Sequence, residues 1–229
     1  MAALTLYLHP LSSFCQKVLI AFYENDIAFV PHIVNLSDPV SRAEFLKIWP
    51  LGKFPVLRDT AKDRTIPESS IIIEYLAQHY PGPVRLVPDD ADLARQTRLR
   101  DRFYDQYVQV PMQKVISDTF RSEGQHDPVG VAQAMALLKS AYALIEQDLA
   151  TKPWAMAEGF GMADCAAAPA LLYANLIQPF GDEHPNVARY LRRLMERPSY
   201  ARVLKEAEPY VDLFPLKEKY RAAYPGIVA

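Results

Sequence analysis

The runs that favour strands in this 229-residue chain all lie in its first third, and everything after residue 92 reads as helix. Residues 3–8, with Leu4-Thr5-Leu6-Tyr7-Leu8, and Ile27-Ala28-Phe29-Val30-Pro31-His32-Ile33-Val34 are strand-like, with a helical stretch from Cys15 to Asn25 between them. That is a β-α-β unit. A short helical pattern, Ser41 to Ile48, leads through Pro50-Leu51-Gly52-Lys53-Phe54 into a third strand at Pro55-Val56-Leu57-Arg58. Polar Asp59 to Asp63 turns the chain into Arg64-Thr65-Ile66. Pro67-Glu68-Ser69-Ser70 then opens a helix on which Ile71, Ile72, Tyr75, Leu76 and His79 recur.

Residues 81–92 are rich in Pro, Gly and Asp. Beyond them helical patterns cover roughly 90–120, 128–150, 162–177, 185–196 and 198–207, with breaks at Pro111, Asp127-Pro128, Pro153 and Gly181. The pattern predicts α/β plus all-α: a β-α-β, β-β-α domain over 1–81 and an all-helical domain over 90–229. Half of the chain is apolar, so core material is sufficient without staples.

A formal charge of −2, with acids and bases mixed along the chain, carries no polyanion-binding signature, so nucleic acid is not an expected partner. The two cysteines, Cys15 and Cys165, cannot form a disulfide framework and suit a reducing compartment. The start of the chain lacks a basic segment followed by a long apolar one, and no apolar run approaches the roughly 18 residues of a membrane span. The expectation is a soluble cytoplasmic protein with no membrane partner.

Three short stretches carry chemistry. In Ser12-Ser13-Phe14-Cys15, a polar turn opens a helix, and no acidic residue precedes Glu24. Unpaired backbone N–H groups and the helix dipole there favour an anion such as a thiolate. A serine at that place is equally a preferred N-cap. In Gly52-Lys53-Phe54-Pro55-Val56, proline at a strand start marks an edge or bend, and X-Pro is where a cis bond is cheap. A cis bond would leave the Phe54 N–H and C=O facing outward for an extended peptide; an ordinary trans proline entering a strand is the alternative. In Pro67-Glu68-Ser69-Ser70, the amides and the Ser69 hydroxyl suit a carboxylate and Glu68 suits an ammonium group beside it. A capped helix with Glu in its first turn needs no ligand at all.

The order of these stretches, Ser-x-x-Cys, then Gly-Lys-x-Pro-Val-Leu, then Pro-Glu-Ser ahead of a helical domain, resembles the cytosolic glutathione transferases of the bacterial, serine-type, theta- or zeta-like kind. Trp154 to Asp164 is similar to the family's Gly-x-x-x-[Ser/Thr]-x-Ala-Asp stretch, except that Gly161 stands where Ser or Thr caps the helix. The resemblance implies a thioredoxin-like domain with a helical bundle, glutathione as co-substrate, no metal, and a homodimer. By it, Glu68 and Ser69 hold the γ-glutamyl head, the Phe54 backbone beside Pro55 pairs with the cysteinyl unit, and Lys53 reaches the glycyl carboxylate. The thiol then lies over Ser12 and Ser13, so the reactive sulfur is the ligand's own. Ser12 falls where serine-type members carry the activating hydroxyl, with Ser13 adjacent; Tyr7 stands near the tyrosine other members use.

The implied activity is conjugation of glutathione to a small apolar electrophile, in an interdomain cleft for which Tyr104, Tyr107, Val108 and Met112 are candidates. Those four also suit plain helix packing. Alternatives on the same fold are a glutathione-dependent thiol-disulfide reductase, an isomerase, a dehalogenase, or a non-catalytic binding module. Serine in place of cysteine at residue 12 speaks against the reductase. Phe14 departs from the Ser-Ser-Cys of isomerase-type members.

Overall fold

The computed structural model describes residues 3–156 and 159–225, so Ala157 and Glu158 of the Trp154–Asp164 stretch lie outside the described residues. Four strands, β1 (Leu4–Leu8), β2 (Val30–Ile33), β3 (Val56–Asp59) and β4 (Arg64–Pro67), form one sheet in the order β2-β1-β3-β4. β1 pairs parallel with β2 and antiparallel with β3, which pairs antiparallel with β4; Leu6 faces Leu57, and Leu57 faces Ile66. Period-2 alternation in β1 buries Leu4, Leu6 and Leu8. β2 is an exposed edge, which is where Pro31 is tolerated. It is also shorter than expected, because Ile27 and Phe29 pack on the core before pairing begins.

Helices α1 (Ser13–Glu24), α2 (Pro39–Ile48) and α3 (Ser69–His79) complete this unit. At its far corner Asp59 is buried and accepts from Tyr75 (2.7 Å), Tyr80 (2.5 Å) and the Ala61 N–H (2.9 Å). Burial pushes its pKa up, but the hydrogen bonds outweigh it and hold the carboxyl below its usual range.

The rest is helical: α4 (Ala91–Phe103), a π-helical segment (Tyr104–Gln109), α5 (Val110–Asp118), α6 (Pro128–Asp148), α7 (Met162–Ile177), α8 (Pro185–Glu196), α9 (Pro198–Ala207), a 3₁₀ turn (Glu208–Leu213) and α10 (Lys217–Ala223). The expected helix over 90–120 therefore passes Pro111 without a break, the π-turn absorbing the missing N–H. The last two elements were not expected; each is too short to show a helical period. α1 packs against α7 and α9, and α7 carries Ala at six of its sixteen positions, which lets the two backbones approach. Glu24 at the end of α1 accepts from Nε and one terminal nitrogen of Arg197, each at 2.6 Å, and so ties the sheet unit to the start of α9.

Asp164 in the first turn of α7 accepts from the N–H groups of Gly161 and Ala155, both at 2.9 Å. A Cβ on Gly161 would sit 3.2 Å from the Leu86 carbonyl, which accepts from Met162 N–H. A serine or threonine there would need the Leu86 carbonyl to give way by a few tenths of an ångström. One further correction concerns α6: by length and composition it is apolar enough to cross a membrane. Its Ala- and Leu-rich sequence passes that test while Ala134, Leu138, Ala141, Tyr142 and Ile145 are buried along it. That burial fits a helix of the bundle.

Candidate active site

The chain leaves β1 at Leu8 and enters α1 through His9-Pro10-Leu11-Ser12. The Ser12 N–H donates to the His9 carbonyl at 2.9 Å, and the Ser12 Oγ accepts from the Cys15 N–H at 3.4 Å. Ser12 is thus the N-cap of α1, as the plainer of the two readings held. A hydroxyl carries one proton and two lone pairs, so capping consumes only acceptor capacity and leaves the proton available. The Ser13 and Phe14 N–H groups, at the first two helical positions, take no partner among the described residues. Burial pushes the Cys15 thiol up to about 12, which makes it a packing residue rather than a nucleophile.

His9 supports this turn from behind. Its Nδ1 accepts from Leu11 N–H at 3.3 Å, its ring stacks 6.1 Å from Phe54 and meets Tyr210 edge-on at 5.6 Å, and burial lowers its pKa. Tyr7 is placed elsewhere: its ring packs 4.8 Å from His32 and 6.0 Å from Phe45, and it lines neither cavity described below.

Lys53, Phe54, Pro55, Glu68 and Ser69 do come together, on the wall of one cavity of about 240 Å³ with Phe14 and Trp49. The Phe54-Pro55 peptide is cis, and the Phe54 N–H takes no partner among the described residues. Lys53 and Glu68 are exposed and make no ion pair among those residues. Glu68 has φ +71, a conformation costing a non-glycine residue about 1–3 kcal/mol and found where a site holds it in place. Nothing in residue type or spacing announced that strain.

Directly behind Ser69 lies a group the sequence did not reveal. Lys17, only 1% exposed, sits 2.7 Å from Asp101 and 2.8 Å from Asp105, and donates to the Ser70 hydroxyl at 2.9 Å. Ser70 in turn donates to Asp101 at 2.6 Å. Burial raises the Asp105 pKa, Lys17 opposes that, and Asp101 adds to it. The cluster fastens α1, the start of α3, α4 and the π-segment to one another. Lys17 reads in the sequence as an ordinary polar residue of an amphipathic helix.

A second cavity, of about 200 Å³, adjoins the first and shares Phe14, Phe54 and Gln113 with it. Leu11, Ser12 and Ser13 line one side; Gln109, Met112, Gln113 and Ile116 line the other, with Tyr173 and Phe214. Of the four cleft candidates only Met112 reaches it. Tyr104 and Val108 are buried in the core and Tyr107 is 48% exposed. The π-turn shifts the register so that 109, 112, 113 and 116 share the inward face, an i, i+3, i+4, i+7 set that begins at the last residue of the π-segment rather than at Tyr104. A larger cavity of about 500 Å³ lies between α7, α8 and α10, away from these residues.

Comparison with known proteins bears on this arrangement. The family model described as "Glutathione S-transferase, N-terminal domain" matches residues 6–84, and the corresponding C-terminal domain model matches residues 128–193. Glutathione S-transferase GstB of Escherichia coli K12 is 25% identical over 203 residues, spanning 88% of this chain and 97% of that protein. A stringent starvation protein A homolog from Histophilus somni is 26% identical over 210 residues, 90% of this chain and 92% of its own. The crystal structure of a glutathione S-transferase from Methylobacillus flagellatus KT with GSH bound superposes with a TM-score of 0.80 at 26% identity, covering 87% of this chain and 98% of that one.

Proposed function

The chain belongs to the cytosolic glutathione S-transferase family, and from that premise we propose that it transfers the glutathione thiol to a small, largely apolar electrophile. The observation that carries this reading is the junction of the two cavities: Phe14, Phe54 and Gln113 belong to both, and Ser12, whose capping bond uses only acceptor capacity, stands in the second. The first cavity suits the tripeptide. The Glu68 carboxylate meets the ligand's ammonium group. Ser69 and the free N–H groups opening α3 meet its α-carboxylate, the Phe54 backbone meets the cysteinyl unit, and Lys53 meets the glycyl carboxylate.

The thiol then projects over the start of α1. There the Ser12 hydroxyl donates to sulfur, the unpaired Ser13 and Phe14 N–H groups add partial positive charge, and Ser13 completes the wall. A free thiol of pKa about 8.5 is only about 3% ionised at pH 7, and lowering it by ~2 units corresponds to ~2.7 kcal/mol. Because nucleophilicity declines with pKa, ionisation alone yields only a few-fold gain, and most of the acceleration comes from holding the electrophile against sulfur in the second cavity. The thiolate forms the new C–S bond, the leaving group departs with its electron pair, and the thiol proton goes to solvent.

A thiol-disulfide reductase that uses a sulfur of the protein's own is disfavoured, because Cys15 is fully buried and its thiol is pushed up to about 12. Family membership leaves turnover to be measured, since the Histophilus somni relative carries a name other than that of a transferase. Ile71, Leu93 and Leu99 are exposed apolar residues on α3 and α4, which supports pairing of two copies through that face in a cytoplasmic homodimer. Calorimetry with glutathione and absorbance-monitored conjugation of chlorodinitrobenzene test the reading together. Saturable binding with thioether formation is the expected result. Binding without any thioether across a panel of electrophiles would reduce the protein to a binding module.

A further inference from the structure

We propose that Gln109 selects electrophiles bearing a hydrogen-bond donor beside the reacting ring, an assignment that rests on the transferase reading above. Gln109 is 4% exposed and lines the electrophile cavity, yet its Oε1 is buried and takes no hydrogen bond among the described residues. Buried acceptors in folded proteins are paired in the great majority of cases, and an exception on a cavity wall points to a missing partner. Leu11, Phe14, Phe54, Met112, Ile116 and Phe214 on the same wall are apolar, and the wall's donors, Ser12, Ser13, Gln113 and Tyr173, make no hydrogen bond to that oxygen. The terminal amide torsion of glutamine is soft, so the carboxamide can turn its oxygen to a ligand.

The backbone supplies a second observation. Gln109 is the last residue of the π-helical segment, and that segment brings it, in place of its apolar neighbour Val108, to the cavity. Pro111 accounts for an interruption of the hydrogen-bond ladder in this region. It does not account for an amide being the residue turned inward. A cavity built only for hydrocarbon would be better served by the valine. An unpaired acceptor instead penalises any ligand that covers it without a donor, so the cavity discriminates by rejecting the apolar isostere.

The probe class that reads this contact is an activated aryl halide carrying an N–H or O–H group on a short substituent. The thiolate adds to the halogen-bearing carbon, the C–S bond forms, and the C–Cl bond breaks with its electron pair leaving as chloride.

The test uses two near-isosteric compounds, the N-methylamide and the methyl ester of one chloronitrobenzoic acid, with chlorine ortho to the nitro group and para to the carbonyl. Affinities are measured on the protein saturated with S-methylglutathione, which cannot react, and kcat/KM with glutathione is divided by each compound's uncatalysed rate. The amide is expected to be favoured about tenfold in both measurements. Gln109→Met and Gln109→Leu are each expected to bring the ratio near one, with glutathione affinity serving as the check that the variants fold. Equal handling of the two compounds by the native protein, a preference that survives both substitutions, or failure of both compounds to bind would overturn the assignment. A preference in binding with no thioether formed contradicts the transferase reading and leaves Gln109 as the donor-reading residue.

Discussion

The Ser12 Oγ accepts the backbone N–H of Cys15 at 3.4 Å, and its hydroxyl proton faces no acceptor stronger than the neighbouring Cys15 thiol among the described residues. Cap and thiolate donor, which look like rival roles in the sequence, are therefore compatible in one side chain. Two costs follow from removing the hydroxyl: about 1 kcal/mol of helix capping, and the charge-assisted hydrogen bond to sulfur. Stability measurements on Ser12→Ala read the first and leave the second to titration of the bound thiol.

Glu68 combines a strained backbone with an exposed carboxylate. Glu68→Gln should weaken glutathione binding by about 1.5–3 kcal/mol, the value of a hydrogen bond to a charged group. Glu68→Gly should weaken binding as well while raising stability by about 1 kcal/mol, because glycine adopts φ +71 without penalty. Calorimetry and denaturant titration on the pair separate the two effects. Unchanged glutathione affinity in Glu68→Gln would leave the residue only its place at the helix start.

Lys17 holds two buried carboxylates. Lys17→Met should cost about 3–5 kcal/mol, since it leaves Asp101 and Asp105 buried without a counter-charge. Adding Asp101→Asn and Asp105→Asn to that variant should recover much of the loss. Urea midpoints report both, and a Lys17→Met loss under about 1 kcal/mol would show that the cluster is not a junction of the two halves.

Asp164 gives the pH dependence its clearest sign. Burial raises its pKa to about 6, against the hydrogen bonds it accepts from Ala155, Tyr190 and Gly161. In the unfolded chain it titrates near pH 4, so between about pH 4 and 6 the folded state retains a proton the unfolded state has lost. Its contribution to stability therefore falls as pH rises through that window and is level above it. The stability difference between native protein and Asp164→Asn, followed from pH 4 to 7, should move by about 2–3 kcal/mol in that direction. A flat difference would mean that the three donors keep the carboxylate ionised throughout.

The sheet and the helix starts were legible because their signals are local. Alternation in Leu4-Thr5-Leu6, proline before Val56, and Glu68-Ser69 ahead of an apolar helix each act within a few residues. Gln109 was not legible, because a π-turn changes which residues share a face and leaves no mark in a pattern counted at 3.6 per turn. Lys17 was hidden for a different reason: its partners are 84 and 88 residues away, and a lone lysine in a helix reads as solvent-facing until they are placed. Tyr210 and Phe214 lie in and just after a 3₁₀ turn too short to show a period, yet they pack on His9 and on the second cavity.

The central claim, that Ser12 donates to the glutathione thiolate, is tested most directly by the thiolate absorbance of bound glutathione followed against pH. Native protein, Ser12→Ala, Ser13→Ala and Tyr7→Phe are compared at saturating glutathione. The account predicts that Ser12→Ala alone raises the thiol pKa substantially, by about 1–2 units, with glutathione affinity nearly unchanged because the tripeptide is held at Lys53, Phe54, Glu68 and Ser69. A curve that moves only in Tyr7→Phe, or in none of the three, would contradict it.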